Sequence, residues 1–215
     1  MTRFTTAVLV TAGVAASASA QFMVFTDRPS WEAAASGVVF TEDFNSSALV
    51  SFADGETIDF GNLEITRDGS ANGGDGALAI TDGSAFGNID GTNHLDGETG
   101  VDPHETTLFG FNGFNATAFG ADFNSPFSGD GVGLEINGEL FLIDTIGGFD
   151  TGFFGVVAIG TEFSSASIVG NPATDTFQEL WQADNISYAQ GSLIPTPGAA
   201  AVLGLGGLAA MRRRR

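Results

Sequence analysis

Cysteine is absent from all 215 residues. No disulfide braces this fold, and no thiolate serves as nucleophile or zinc ligand. Lysine is absent as well. Of the seven arginines, Arg3 lies near the start and Arg212, Arg213, Arg214 and Arg215 end the chain. Only Arg28 and Arg67 remain in the body, facing all 26 acidic residues. Such a surface repels nucleic acid and anionic lipid, which are bound through Lys and Arg. It attracts hard divalent cations, which prefer carboxylate and carbonyl oxygen; equally, the charge serves to keep a β-rich chain in solution. What is plentiful is phenylalanine, with 20 residues, and glycine, with 31. At 43% hydrophobic residues the chain can bury a real core, and its length suits one ordinary domain.

The two ends read differently from the body. Arg3 precedes an uncharged stretch from Phe4 to Ala16, and Ala18-Ser19-Ala20 is an A-x-A cleavage pattern. This order predicts a secretory signal peptide over residues 1–20, cut between Ala20 and Gln21 by signal peptidase. At the other end, residues 193–215 hold Pro195, Thr196, Pro197 and Gly198, then an uncharged segment from Ala199 to Met211, then Arg212 to Arg215. The prolines break regular structure. The apolar segment is short for a span of roughly 17–25 residues, and the arginines hold the cytoplasmic side. The expectation is a stop-transfer tail that anchors the chain in the membrane by a hydrophobic helix until it is cut.

That tail resembles the PEP-CTERM sorting signal, with Pro195-Thr196-Pro197 where the commonest tripeptide of the class is Pro-Glu-Pro. The resemblance implies export by a Gram-negative-type bacterium such as a planctomycete. It implies recognition by an exosortase and delivery to the cell surface or extracellular matrix.

The body, residues 21–192, shows no Pro-rich linker and reads as one domain. Asp-Gly and Asn-Gly pairs recur, among them Asp54-Gly55, Asp90-Gly91, Asn112-Gly113 and Asn137-Gly138. Both residue types tolerate positive φ and favour tight turns. Short alternating or apolar runs lie between them. The runs predict strands over 38–44, 57–60, 63–67, 77–81, 106–111, 116–123, 133–136, 139–145, 153–159, 165–170 and 183–188, with Asn137-Gly138 closing a hairpin. One short helix is expected over 27–35, capped by Asp27 or Ser30 and ended by Gly37. Many short strands with regular turns point to an all-β sandwich or barrel.

Five motifs sharpen this: Phe25 to Trp31, Glu42-Asp43-Phe44, Ala118 to Phe123, Phe153-Phe154-Gly155-Val156, and Asp184 to Ala189. Together they resemble the lectin-like or carbohydrate-binding body that often precedes such sorting signals. The resemblance implies an antiparallel jelly-roll-like β-sandwich. It also implies that the first and last strands lie side by side and share a structural calcium. Glu42, Asp43 and Asp184 occupy the matching places, with Asn45, Asn185 and backbone carbonyls to complete six to eight oxygens.

Other constellations carry less. Residues 88–105 hold both histidines, His94 and His104, with Asp90, Asp96, Glu98, Asp102 and Glu105. No strict metal spacing is present, and the stretch reads as a solvated surface loop. Gly73 to Leu78 is a lone copy of a pattern that needs stacked repeats to bind calcium. Trp31, Trp181 and Tyr188 are the residues able to stack on a sugar ring, although Trp31 on a helix and Tyr188 on a strand suit a core equally well. Phe109, Phe111, Phe114, Phe119 and Phe123 read as core. No nucleophile elbow appears, so the body reads as non-enzymatic. The expectation is an exported surface or matrix protein binding extracellular polysaccharide. Its rivals are a purely structural matrix component and a glycoside hydrolase using paired carboxylates.

Overall fold

The computed structural model describes residues 21–68, 77–83, 89–99, 106–124, 131–143, 151–171 and 179–191. All of these residues fall within one compact unit, Ala20–Thr196. The signal, the proline motif, the hydrophobic tail and the arginine cluster lie outside the described residues, as does His104 with its neighbours 100–105. Among the described residues no helix is long and apolar enough to cross a membrane.

Fourteen strands and one helix are described, and every strand pairing is antiparallel. The strands are β1 (Gln21–Phe25), β2 (Val38–Glu42), β3 (Val50–Ser51), β4 (Thr57–Asp59), β5 (Leu63–Asp68), β6 (Leu78–Thr81) and β7 (His94–Thr99). They continue as β8 (Thr106–Phe111), β9 (Ala118–Asn124), β10 (Val132–Ile136), β11 (Glu139–Leu142), β12 (Thr151–Ile159), β13 (Ser165–Gly170) and β14 (Glu179–Gln190). The larger sheet runs β1-β12-β9-β14-β7-β6-β3, with β2 also paired to β14. The smaller runs β11-β10-β13-β8-β5-β4.

Alternation builds the core. Along β9, Phe119, Ala121 and Phe123 face inward with Phe154 and Val156 of β12 and Trp181 and Ala183 of β14. They meet Leu63, Ile65, Phe109, Leu134 and Ile168 of the smaller sheet in one cluster. The expected sandwich is therefore the observed one: each sheet is apolar on the face it turns to the other. The Asn137-Gly138 turn has φ of 53° and 78°, the pair of positive values that a two-residue hairpin needs.

The opposite face of the larger sheet carries the helix α1 (Arg28–Ala34). Asp27 caps it by accepting from Ser30 N at 3.0 Å. Trp31 is fully buried beneath it, against Phe153, Val157, Ala118 and Ala189, and its indole donates to Val156 O. Trp181 and Tyr188 are interior too, at 1% and 3% exposure. None of the three aromatic residues suited to sugar stacking is on the surface.

Two readings are corrected. The stretch 88–105 is not simply a solvated loop, because His94 to Thr99 form β7 and pair with both β14 and β6. Its alternation (His, Leu, Asp, Gly, Glu, Thr) has one large apolar residue, Leu95, which hides the pattern. β1 and β3 also went unread, β1 because four consecutive apolar residues show no alternation and β3 because two residues carry no period. The strand expected over 183–188 is the middle of a longer one.

The close approach of α1 to the sheet depends on Gly155, whose Cβ would fall 2.7 Å from Trp31 Cδ1 and 2.8 Å from Phe153 Cζ. Gly155→Ala is expected to destabilise the fold by about 1–3 kcal/mol through overpacking. Gly83→Ala, with open space around it, is expected to leave stability unchanged. Urea unfolding of both variants checks the contrast.

Candidate functional site

Strand β14 organises the site. On one edge it pairs with β9 over Gln182–Asp184 and again over Ser187–Ala189. On the other it pairs with β7 over Glu179–Ala183 and then with β2 over Ile186–Gln190. Between these partners Asp184 and Asn185 stand at a fork. The register with β9 slips here, between Asp184 and Ser187, and Asn185 takes φ of 50°. This is a bulge, the device that re-aims side chains next to functional sites. Phe44, just past β2, also has a left-handed φ of 54° although its side chain is large and fully buried. Two such residues at one fork mark stored backbone strain.

Loop residues 89–93 close the fork. Asn93 Nδ2 donates to Phe44 O and Ser47 O. The Thr92 hydroxyl lies 2.5 Å from Asp90 Oδ1 and 3.4 Å from Asp184 Oδ2. Asp184 is fully buried, and its Oδ1 accepts from Asn185 N at 2.6 Å. Burial pushes its carboxyl up to about 7, with Asp90 and Asp122 adding like charge against the hydrogen bonds of Asn185 and Thr92.

The three carboxylates expected to share calcium are placed as follows. Glu42 Oε1 accepts from Phe44 N, and Asp43 Oδ1 accepts from Asn45 N. Burial raises the Glu42 carboxyl, helped by Asp43, and Glu42 in turn lifts Tyr188, which burial takes to about 12. The partner of Glu42 across the ladder, Ile186, points into the core. The charges that act on Asp184 are instead Asp90 and Asp122. Among the described residues no group of three or more acidic or histidine side chains is placed to hold a metal ion. A cation at the fork would draw on Asp184 and Asp90, with backbone oxygen for the rest.

The outward face of the larger sheet beside this fork is polar. Register places Asn124, Gln182 and Asp96 in one row across β9, β14 and β7. Asp96 is an acceptor, so Gln182 Nε2 donates to it at 3.5 Å and Gln182 Oε1 accepts from Asn124 Nδ2 at 3.3 Å. The relay leaves Asn124 Oδ1 buried and without a partner among the described residues. His94, two residues before Asp96 and fully buried, sits on the same face. Its Nδ1 is 3.2 Å from Thr92 O, and its Nε2 has no partner among the described residues. Burial raises the Asp96 carboxyl, opposed by Gln182 and His94. Gln182, Asn124, His94 and Asp184 thus form a buried floor, while Asp96, Asp122 and Thr92 are half-buried and Asp90 is exposed.

Arg28 borders this floor. It pairs with Asp122 at 3.0 Å, donates to Ser187 Oγ and Asn185 O, and lies 4.7 Å from the centre of the Phe153 ring. Asn185 Nδ2 also donates to Asp122. Sequence reading nominated Asp184 from this floor, and named His94 and Asp96 only within a stretch it read as a solvated loop. Gln182 and Asn124 escaped it because single amides on separate strands have no shared spacing. The one available signal was a polar residue at alternate places in strands otherwise rich in Phe and Ala.

No protein-family model and no curated protein matches the chain. Among solved structures, a variant of a family 29 carbohydrate-binding module is similar at 10% identity and a TM-score of 0.29, over 68% of this chain and 94% of that one. A second variant is similar at 12% identity and 0.31, over 81% and 88%. A further family 29 carbohydrate-binding module is similar at 12% and 0.29, over 81% and 91%. At these scores the likeness carries no argument about ligand, and the sandwich rests on the strand pairing described above.

Asp184 gives the fold a pH dependence of defined sign. The folded carboxyl keeps its proton up to about 7, whereas an unfolded Asp releases it near 4. Between these values the folded state binds more protons, so stability is full below about 4 and falls as pH rises through about 7. In the presence of a chelator, the thermal midpoint is expected to drop from pH about 5 to pH about 8, and Asp184→Asn is expected to flatten that drop.

Proposed function

We propose that this chain is a non-catalytic, exported β-sandwich that binds extracellular polysaccharide at the cell surface or in the matrix. The observation that carries the reading is the Asn124-Gln182-Asp96 row on the outward face of the larger sheet. Asp96, at the half-exposed end of that row and held by Gln182, is the group a sugar hydroxyl would meet. Export is supported by the order of charge, apolar stretch and A-x-A site over residues 1–20. Sorting by an exosortase is supported by the Pro195-Thr196-Pro197-Gly198 motif and the terminal arginines. The tail would hold the chain in the membrane only until it is cut.

Calcium belongs to the proposal as a structural ion at the fork, shared by Asp184 and Asp90. Asp184 and Asp90 bring like charge together at the fork, and a divalent cation between them would relieve it. One observation favours the rival reading of a structural matrix component without a ligand: Trp31, Trp181 and Tyr188 are all interior, so none of the three offers its face to a sugar.

Native gels containing soluble polysaccharides test the main reading. The full chain is expected to be retarded in at least one, and Gln182→Ala is expected to run free. Equal mobility in every gel, with self-association, would favour the structural rival. A thermal melt with calcium and with a chelator tests the ion. Calcium is expected to raise the midpoint, because it binds the folded state alone, and Asp184→Ala is expected to lose that rise.

A further inference from the structure

A sheet edge presents backbone N–H and C=O groups to any strand that comes alongside, and folded proteins blunt such edges with charge, shortness or bulges. Four strands end the two sheets, and β2 leaves a further edge beside β14. β3 has two residues, β4 has three and carries Asp59, β11 opens on Glu139, and β2 ends on Glu42. β1 has none of these protections. Its five residues, Gln21-Phe22-Met23-Val24-Phe25, carry no charge and pair with β12 without a register shift. Among the described residues no strand pairs with its outer edge.

The two ends of β1 are anchored. Phe22 packs against the main core and meets Phe141 of β11 edge to face at 5.2 Å. Phe25 packs against the cluster under α1. The two residues between them are exposed, Met23 at 45% and Val24 at 47%. They point to opposite faces of the sheet, so a ligand lying on one face cannot cover both. A strand added alongside the edge can.

The strand that fits is β1 of a second copy. Antiparallel pairing about a twofold axis at Met23 sets Met23 opposite Met23 of the second copy on one face. On the other it sets Val24 opposite Phe22 of the second copy. No charge meets charge across such a contact, which decides the matter in a chain of net charge −19, because most other surfaces of two copies repel each other. A twofold contact is self-complementary, consumes both edges and closes at the dimer.

We propose that two copies of this chain associate through the outer edges of β1, so that β12-β1 of one copy and β1-β12 of the other make one continuous antiparallel sheet. A contact of one short strand is small against the roughly 1,200–2,000 Å² of a standard interface, so the dimer forms at high local concentration. The contact leaves the polar row of β9, β14 and β7 untouched and is independent of the polysaccharide reading.

The absence of cysteine allows a direct test. Three single variants of the full chain, Met23→Cys, Val24→Cys and Val39→Cys, are treated with a mild oxidant at several protein concentrations and run on non-reducing gels. Met23→Cys is expected to give a disulfide dimer that increases with concentration, because directly opposed Cα atoms lie about 4.5–5.5 Å apart, within disulfide reach. Val24→Cys, at the same exposure, is expected to give little, because the two Val24 positions lie diagonally, about 8 Å apart, beyond that reach. Val39→Cys, on the exposed edge of β2, is expected to give as little. Val24→Lys added to Met23→Cys is expected to abolish the dimer by placing charge on the edge, whereas Val39→Lys added to Met23→Cys is expected to leave it. Equal cross-linking of Met23→Cys and Val24→Cys, stronger cross-linking of Val39→Cys, or no cross-linked product from Met23→Cys at any concentration overturns the inference.

Discussion

Two arginines serve a body that holds 26 carboxylates, and the placement of Arg28 decides how the outward face of the larger sheet is built. Its guanidinium neutralises Asp122, accommodates the bulge through Asn185 O and Ser187 Oγ, and rests on Phe153. A planar fork with five donors can satisfy several acceptors at once, which an ammonium on a flexible stem does less well. Because Arg28 is the first residue of α1, the same contacts fix where the helix begins and hold Trp31 over Gly155. One residue thus couples the apolar half of the face to the polar half.

Beyond the reach of Arg28 lies Asp184, among like charges. Asp184 lies opposite Asp122 in the ladder and near Asp90. Like charges directly opposite each other destabilise a sheet, and burial makes matters worse. The chain meets this locally, with the Asn185 amide on one oxygen and the Thr92 hydroxyl beside the other, and by shifting the carboxyl toward its protonated form. The two left-handed residues, Phe44 and Asn185, are where the backbone bends to provide these contacts. Such strain persists only when packing over-determines it. Phe44 is held by the main core and Asn185 by Arg28 and Asp122, so both conditions are met.

Much of the fold was legible because alternation and turn chemistry are local. Thr106 to Phe111 and Ser165 to Gly170 alternate, and their observed bounds are those the sequence predicts. The Asn137-Gly138 hairpin and the Asp27 cap depend on residues within three or four positions of each other. The candidate site was far less legible. Asp184 was singled out through a resemblance, while Asn124, Gln182 and His94 acquire meaning only when β9, β14 and β7 are aligned. β7 itself was masked by its polar content, since a strand whose outward residues are His, Asp and Glu reads as a loop when its burial is unknown.

By itself the sequence determined the class of structure and the charge: short apolar alternation fixes strands, Asn-Gly and Asp-Gly fix tight turns, and the lack of lysine fixes an acidic surface. These are properties of neighbours along the chain, governed by backbone sterics and by the polarity of each side chain. Only the tertiary structure decided which carboxylates meet. It set Asp184 against Asp90 and Asp122, while Glu42 keeps to its own turn and its neighbour Tyr188. It buried all three aromatics suited to stacking, and on one face it left Asn124 Oδ1 and His94 Nε2 without partners among the described residues. Register and burial are set by the packing of two whole sheets, and electrostatic energies depend on those distances rather than on spacing in the sequence.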